Sequence, residues 1–244
     1  GFLFDNTAKS TGVIPEPVID WKISAQQQSE IGVYFSALGN IPVIQSSASG
    51  AGFINSVPDS DGFIRKASLV LNYRGTLYPS LALEVARVYT LADSINAVSK
   101  SSNGISWLQG ISFGKQLIPT NEKGQVIIPY KGEKYSFPYI SATDVLNGRV
   151  DQDILEGSIA FVGTSAVGLA DLRTTSVGVQ YPGVEVHANV FESLIHPEIL
   201  PVEPDTTLAI IFSLLIITGF ILSLTMTKQG QLVILLISLL SFSL

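Results

Sequence analysis

The sequence predicts an α/β domain, a mixed sheet with flanking helices, followed by apolar helices of membrane type. Three observations carry that expectation. The run Ile159-Ala160-Phe161-Val162 has strand composition and breaks into Gly163-Thr164-Ser165, as a strand of an open α/β sheet does where it ends at a crevice. Just after Tyr181-Pro182-Gly183, the residues Val184, Ala188, Phe191 and Ile195 recur at helical spacing. The third observation is a charge split. All 20 acidic residues and 13 of the 14 basic ones lie at or before Asp205, a net charge of −7, and residues 206–244 hold only Lys228.

In chain order, residues 1–28 read as irregular, since Pro15 and Pro17 oppose helix and Gln26-Gln27-Gln28 is polar. Ser29–Leu38 reads as a short helix with Ile31, Phe35 and Leu38 on one side, stopped by Gly39-Asn40. Ile41–Gln45 reads as a strand. Pro58-Asp59-Ser60-Asp61-Gly62 is a turn in which Asp side chains cap the backbone and Gly accepts a positive φ. Ala67–Tyr73 follows as a strand and Arg74-Gly75 as a turn. Tyr78-Pro79-Ser80 opens a long helix with Leu81, Val85, Val88, Ala92 and Ile95 on its apolar face and Glu84 and Arg87 in water. Gly110–Phe113, Gln116–Pro119 and Gly124–Tyr130 read as strands, the last two joined by a hairpin turn at Asn121-Glu122-Lys123-Gly124. Phe137–Ile140 is extended, and Ser141 caps a short helix that Gly148 ends.

Four segments result: a water-soluble domain over 1–205, a membrane helix over 206–226, a loop over 227–231 and a second apolar run over 232–244. Leu208–Met226 carries no charge over 19 residues, about 28 Å of helix against a hydrocarbon layer of roughly 30 Å. Lys228 in the connecting loop favours the cytoplasmic side for that loop. Gly1 in place of an initiator Met, and Leu244 inside an apolar run, read as the ends of a piece of something longer.

Several kinds of chemistry fit poorly. The acidic domain lacks the clustered Lys and Arg that phosphate backbones require, so nucleic acid is excluded as a partner. With no cysteine there are neither disulfides nor thiolate metal sites. Ser165, Asp171 and His187 stand in the chain order of an α/β-hydrolase triad, but Gly163-x-Ser165-x-x-Gly168 is one residue too long for a nucleophile elbow. That same loop lacks the Lys-Ser/Thr of a P-loop. His187 and His196, nine apart on a helix, point to opposite sides, and Asp59 with Asp61 lacks the further ligands of a calcium loop. Neither a metal nor a cofactor is implied. The charges that stand out are Arg65, Asp171 and Arg173. An Arg in a crevice loop can grip a carboxylate or phosphate with two hydrogen bonds, while the alternative is an Asp–Arg pair that pins two loops together.

Three groups of residues together resemble a known family. They are Gly52-Phe53-Ile54-Asn55 with Pro58-Asp59-Ser60-Asp61-Gly62-Phe63-Ile64-Arg65; Tyr78-Pro79-Ser80-Leu81-Ala82; and Val162-Gly163-Thr164-Ser165-Ala166 with Asp171-Leu172-Arg173-Thr174-Thr175 and Tyr181–Asn189. In this order they resemble the CHASE2 domain, an extracytoplasmic sensor module of bacterial membrane receptors, over about residues 52–192. The family's usual leading membrane helix and first strand–helix unit are not visible at the front of this sequence. The resemblance implies a non-catalytic input domain on the periplasmic side of the cytoplasmic membrane. It further implies output by a cytoplasmic adenylate or guanylate cyclase, or by a histidine or Ser/Thr kinase, beyond Leu244. The expected partners are a small-molecule ligand, the membrane and a second copy of the chain in a homodimer. The ligand residues expected are Arg65, Thr164, Ser165, Asp171 and Arg173.

Overall fold

The computed structural model describes residues 1–7, 9–20, 30–102, 105–165, 171–201 and 207–225. The chain divides into two units, 1–201 and 202–244. The first unit opens with strands β1 (Leu3–Asp5), β2 (Ile19–Asp20), β3 (Val33–Tyr34) and β4 (Ser36–Leu38), then helix α1 (Pro42–Ser47). Strands β5 (Lys66–Ser68), β6 (Val70–Tyr73) and β7 (Thr76–Pro79) lead into helix α2 (Leu81–Tyr89). Next come β8 (Ile95–Ser102), β9 (Ile105–Phe113), β10 (Gln116–Pro119) and β11 (Gln125–Ile127), followed by short helices α3 (Ala142–Leu146) and α4 (Gln152–Leu155). The hairpin β12 (Leu172–Thr175) and β13 (Gly178–Pro182) runs directly into helix α5 (Gly183–Ile195) and a 3-10 turn at Pro197–Ile199.

The α/β class holds, but several small sheets replace a single one. β10-β9-β8-β2 is mixed, with β2 parallel to β8 and the other pairs antiparallel; β3-β6-β7 is likewise mixed. The pairs β1–β4, β5–β11 and β12–β13 are antiparallel. The tight link between β6 and β7 is Arg74-Gly75, with φ of 51° and 90°. Two positive φ values in a two-residue hairpin match the right-handed twist of its strands.

Two apolar cores form in this unit. In the larger, Leu83 and Ala86 of α2 meet Val186, Val190 and Leu194 of α5 over Ile95, Ile111 and Phe113 of the four-stranded sheet. The smaller gathers Phe2, Phe4, Phe53, Leu71 and Tyr78. There the Phe4 ring stacks on Tyr73 at 5.0 Å and meets Tyr78 edge-on at 5.5 Å. Each such pair adds about 0.5–1.5 kcal/mol beyond the area it buries.

That aromatic core corrects the expected irregular front: β1 pairs with β4, and Asn55 brackets Phe4, accepting from its N–H and donating to its carbonyl at 2.8 Å each. Residues 21–28 of the expected irregular stretch lie outside the described residues. The helix expected over 29–38 is instead β3 and β4, because the Asn72 N–H donates to the Gly32 carbonyl and β6 recruits β3 as a parallel neighbour. Phe35, placed on that helix's apolar side, is 62% exposed. The strand expected at 41–45 is helix α1, with Pro42 at its first position, where a missing N–H costs nothing.

The helix after Ser80 is real but shorter, and Thr76–Pro79 before it is a strand. α2 ends at Tyr89, where Leu91 turns at φ 54° and Arg87 donates to the Ala92 carbonyl at 2.7 Å; Ile95 belongs to β8. Glu84 is not in water. It is 3% exposed and takes two bonds from Arg87, at 2.7 and 2.8 Å, beside Gly50, whose missing side chain leaves the room. Asn121–Gly124 is a turn but not a hairpin, because β10 pairs with β9 and β11 with β5. No strand forms at 159–162, and Val162 is 91% exposed. The Asp171-Leu172-Arg173-Thr174-Thr175 stretch, expected as a loop, supplies β12. On α5 the fully buried stripe is Val186, Asn189, Val190, Ser193 and Leu194; the expected Val184, Ala188, Phe191 and Ile195 are partly buried.

The second unit is described over α6 (Thr207–Thr225), 19 residues without a charge, whose described side chains are exposed on every side apart from a partly buried Gly219. At about 1.5 Å per residue it reaches about 28 Å, just short of a roughly 30 Å hydrocarbon layer. Among the described residues no helix is long and apolar enough to cross a membrane.

Candidate functional site

Helix α5 gathers the polar chemistry of the first unit, and its first turn is made possible by two glycines. The Gly183 N–H donates to the Asp171 carbonyl at 2.9 Å, and a Cβ on Gly183 would fall 2.5 Å from the Asp171 carboxylate. A Cβ on Gly163 would fall 2.6 Å from the Val184 Cβ. Glycine at both places lets Asp171 and the 163–165 segment lie against the start of the helix.

One side of α5 holds a loop. Glu185, 2% exposed, accepts from the N–H groups of Tyr135 and Ser136 at 2.8 Å each and from the Tyr139 hydroxyl at 2.9 Å. Four residues on, Asn189 accepts from the Lys131 N–H at 2.8 Å and donates to the Tyr181 hydroxyl at 3.0 Å. Burial pushes the Tyr181 hydroxyl up to about 12 and raises that of Tyr139, where Glu185 adds to the effect. These bonds fasten residues 131–139 to α5, and nothing in the sequence marks Glu185 as anything but a solvent-facing helix residue.

His187 lies on another side, lining a recess with about 320 Å³ of empty space, counting the part open to solvent. Ile64, Ile128, Val186 and Val190 form its apolar walls; Ser56, Lys66, Ser68 and Ser80 give it hydroxyls and one cation. Burial is the main cause that lowers the His187 imidazole to about 4; Asp171 acts against it, and Arg173 and the terminal ammonium act with it. At neutral pH His187 is therefore uncharged. Among the described residues no group of three His, Cys, Asp or Glu is placed to hold a metal ion.

The five expected ligand residues border this region without all meeting. Arg65 is held in its own turn, donating to Asp59 at 3.0 Å and to both Asp61 oxygens at 2.9 and 2.8 Å, with its guanidinium 4.8 Å from the Phe63 ring. Those carboxylates raise its pKa, and the hydrogen bond from its guanidinium lowers that of Asp61. The turn is tied to β12 through the Ile64 N–H, which donates to the Thr174 carbonyl at 2.8 Å. Arg173 donates to Asp171 at 2.9 Å, and its Nε is buried with no partner among the described residues. Each guanidinium is thus paired within its own segment rather than across two loops. Thr164 is exposed and Ser165 partly buried. The sequence pointed to the neighbourhood but missed His187 and Lys66 as its lining.

The model of the CHASE2 domain matches residues 4–224, nearly the whole chain, and the chain belongs to that family of extracytoplasmic sensor domains. The family is sensory rather than catalytic. The match reaches well beyond residues 52–192 and takes in β1 at the front. Searches of curated proteins and of solved structures gave no match.

Proposed function

We propose that this chain is the ligand-sensing input of a transmembrane receptor. In this reading α6 is its first membrane span after the sensor, 227–231 a cytoplasmic loop and 232–244 a second span. The observation that carries it is α6. A helix apolar on all faces, with its side chains exposed, has no aqueous setting in which it is stable, and it follows residues 1–205, which hold every acidic residue of the chain. Output passes to a cytoplasmic adenylate or guanylate cyclase beyond the second span; a histidine or Ser/Thr kinase in that place is the alternative. The receptor is a homodimer, and Gly219 and Ser223, one helical turn apart, form the small face on which two copies of α6 approach. A small molecule binds beside the start of α5. Arg65, Thr164, Ser165, Asp171 and Arg173 form the rim it meets, since each lies next to an element that lines the recess or abuts the first turn of α5.

Topology reporters test this reading. A reporter active only after export should work when fused at Asp205, and one active only in the cytoplasm should work when fused after Met226. The reverse pattern ends the receptor reading.

A further inference from the structure

Helix α1 stands on the surface of the first unit with no residue buried, and Ile41 before it, Val43 and Ile44 are 58%, 67% and 58% exposed. A helix of six residues is too short to hold in water by its backbone alone; helices of that length persist by packing an apolar face on something else. Backbone bonds bring more apolar surface beside it. The Val13 N–H donates to the Asn40 carbonyl at 2.8 Å and the Asn40 N–H to the Val13 carbonyl at 3.0 Å, which sets the exposed Val13 next to the residue before Ile41. Leu38 of β4, also exposed, bridges to Thr11 of the same segment. Charge is the second observation. From Ile31 to Pro58 there are 28 residues without a charge, in a sequence whose residues 1–205 carry a net −7. A second exposed apolar stretch, with Val145, Leu146 and Ile154, is built differently: Asp144, Asp151, Asp153 and Glu156 interleave it against the single cation Arg149.

We propose that the face formed by α1, Leu38 and Val13 is where the sensor units of two copies of this chain meet, around a two-fold axis. The inference rests on the homodimer of the receptor reading and gives it a contact outside the membrane helix. Charge selects the partner. Two acidic copies repel wherever carboxylates face each other, and a two-fold contact sets each patch against itself. An uncharged apolar face is complementary to its own copy; the acidic stretch around α3 and α4 is not. The same pattern disfavours lipid, since a helix that lies on an anionic bilayer carries Lys or Arg along its polar side, and the polar residues of α1 are Gln45, Ser46 and Ser47. Stable interfaces draw on about 20–30 residues from each partner, so α1 is the centre of the contact and not its whole extent. At the Phe35 end the Arg74 Nε donates to the Phe35 carbonyl at 2.8 Å, which places a charge where an interface has its polar rim.

Single cysteines test the contact in the full chain, which has none of its own. Ile41→Cys, Val43→Cys and Ile44→Cys are compared with Leu146→Cys and Val179→Cys, at positions 86% and 66% exposed, in neutral detergent micelles under mild oxidation. At least one of the first three should form the intermolecular disulfide about tenfold faster than either control, because the bond needs Cα atoms within about 7 Å. Adding Val43→Glu to Ile44→Cys should slow its crosslinking about tenfold, and so should adding Val43→Lys, since each sets like charges face to face. A mixture of the two charged variants should recover the parent rate. Val43 is exposed, so both should fold as the parent does, with an unchanged melting temperature. Rates at the level of the controls, rates that Val43→Glu leaves unchanged, or a mixture as slow as its components overturn the proposal. Protection of Ile44→Cys from a water-soluble maleimide in phosphatidylglycerol vesicles, with crosslinking at the control level, would give the face to lipid and overturn it likewise. Crosslinking of Gly219→Cys within α6 and the topology reporters are unaffected by these outcomes, so the α1 contact, the membrane-helix pairing and the receptor reading fail separately.

Discussion

His187 turns its surroundings into a dependence on pH. Its folded pKa, about 4, is below the ordinary 6.5, so as pH falls the unfolded chain takes up a proton before the folded one does. Stability present above about pH 6.5 is therefore lost as pH falls towards 4, by up to about 1.4 kcal/mol per pH unit. Asp61, held below the ordinary 3.8 by its hydrogen bond with Arg65, adds its own loss only at more acid pH. Urea unfolding at steps from pH 7 to 4.5 should show the slope in the parent and a flatter line in His187→Gln; an unchanged slope in the variant would put the titrating group elsewhere. Glu185 makes a different kind of prediction. Glu185→Ala strips an acceptor from three donors, two of them backbone N–H groups, and should cost about 3 kcal/mol. Amide exchange at Tyr135 and Ser136 should accelerate with it. If those amides keep their protection, the carboxylate does not hold the loop.

At the scale of elements, the β6–β7 hairpin separates backbone strain from packing. Gly75 has φ 90° and open space where a side chain would go, so Gly75→Ala should cost only the backbone term, about 1–2 kcal/mol. Gly183→Ala meets the Asp171 carboxylate as well and should cost more. Denaturation midpoints of the two variants at equal m-value decide this, and a larger loss at Gly75 would reverse the assignment. The same contrast explains which elements could be read from the sequence. The turns at 58–62 and 74–75, the start of α2 at Ser80 and helix α5 are dictated by residues within a few positions, and these appear where expected. Phe2, Phe4 and residues 33–38 owe their structure to strands and rings more than 25 positions away, so local periodicity misassigned them. Ile159–Val162 has strand composition yet pairs with no strand, and its neighbour Gly163 packs on α5 instead. Within the site, Asp171 and Arg173 were legible as charges in a motif. Lys66 and His187 were not, since their significance comes from β5 and α5 facing one recess across more than 100 residues of chain.

On the scale of the whole molecule, the proposed signal has a single covalent route, since α5 bears His187 at the recess and is followed in sequence by the segment that enters α6. The segment His196–Asp205 contains Pro197, Pro201 and Pro204, a composition that reads as a semi-rigid extended strut. The structure corrects its first part: Pro197–Ile199 is a 3-10 turn continuing from α5, with His196 Nδ1 and Glu198 Oε1 3.3 Å apart, while Pro204 lies outside the described residues. Replacing the three prolines by Gly should leave folding and membrane insertion intact but disconnect the recess from the membrane helix. Because the chain has no cysteine, a single Gly219→Cys change reports on α6 without background. In the proposed homodimer, disulfide yield between two copies should respond to a saturating small molecule found by thermal-shift screening in the Gly219→Cys parent and lose that response when the three prolines are Gly. A response of equal amplitude in both would show that the prolines only punctuate two helices; no response in the parent would remove α6 from the signalling path altogether.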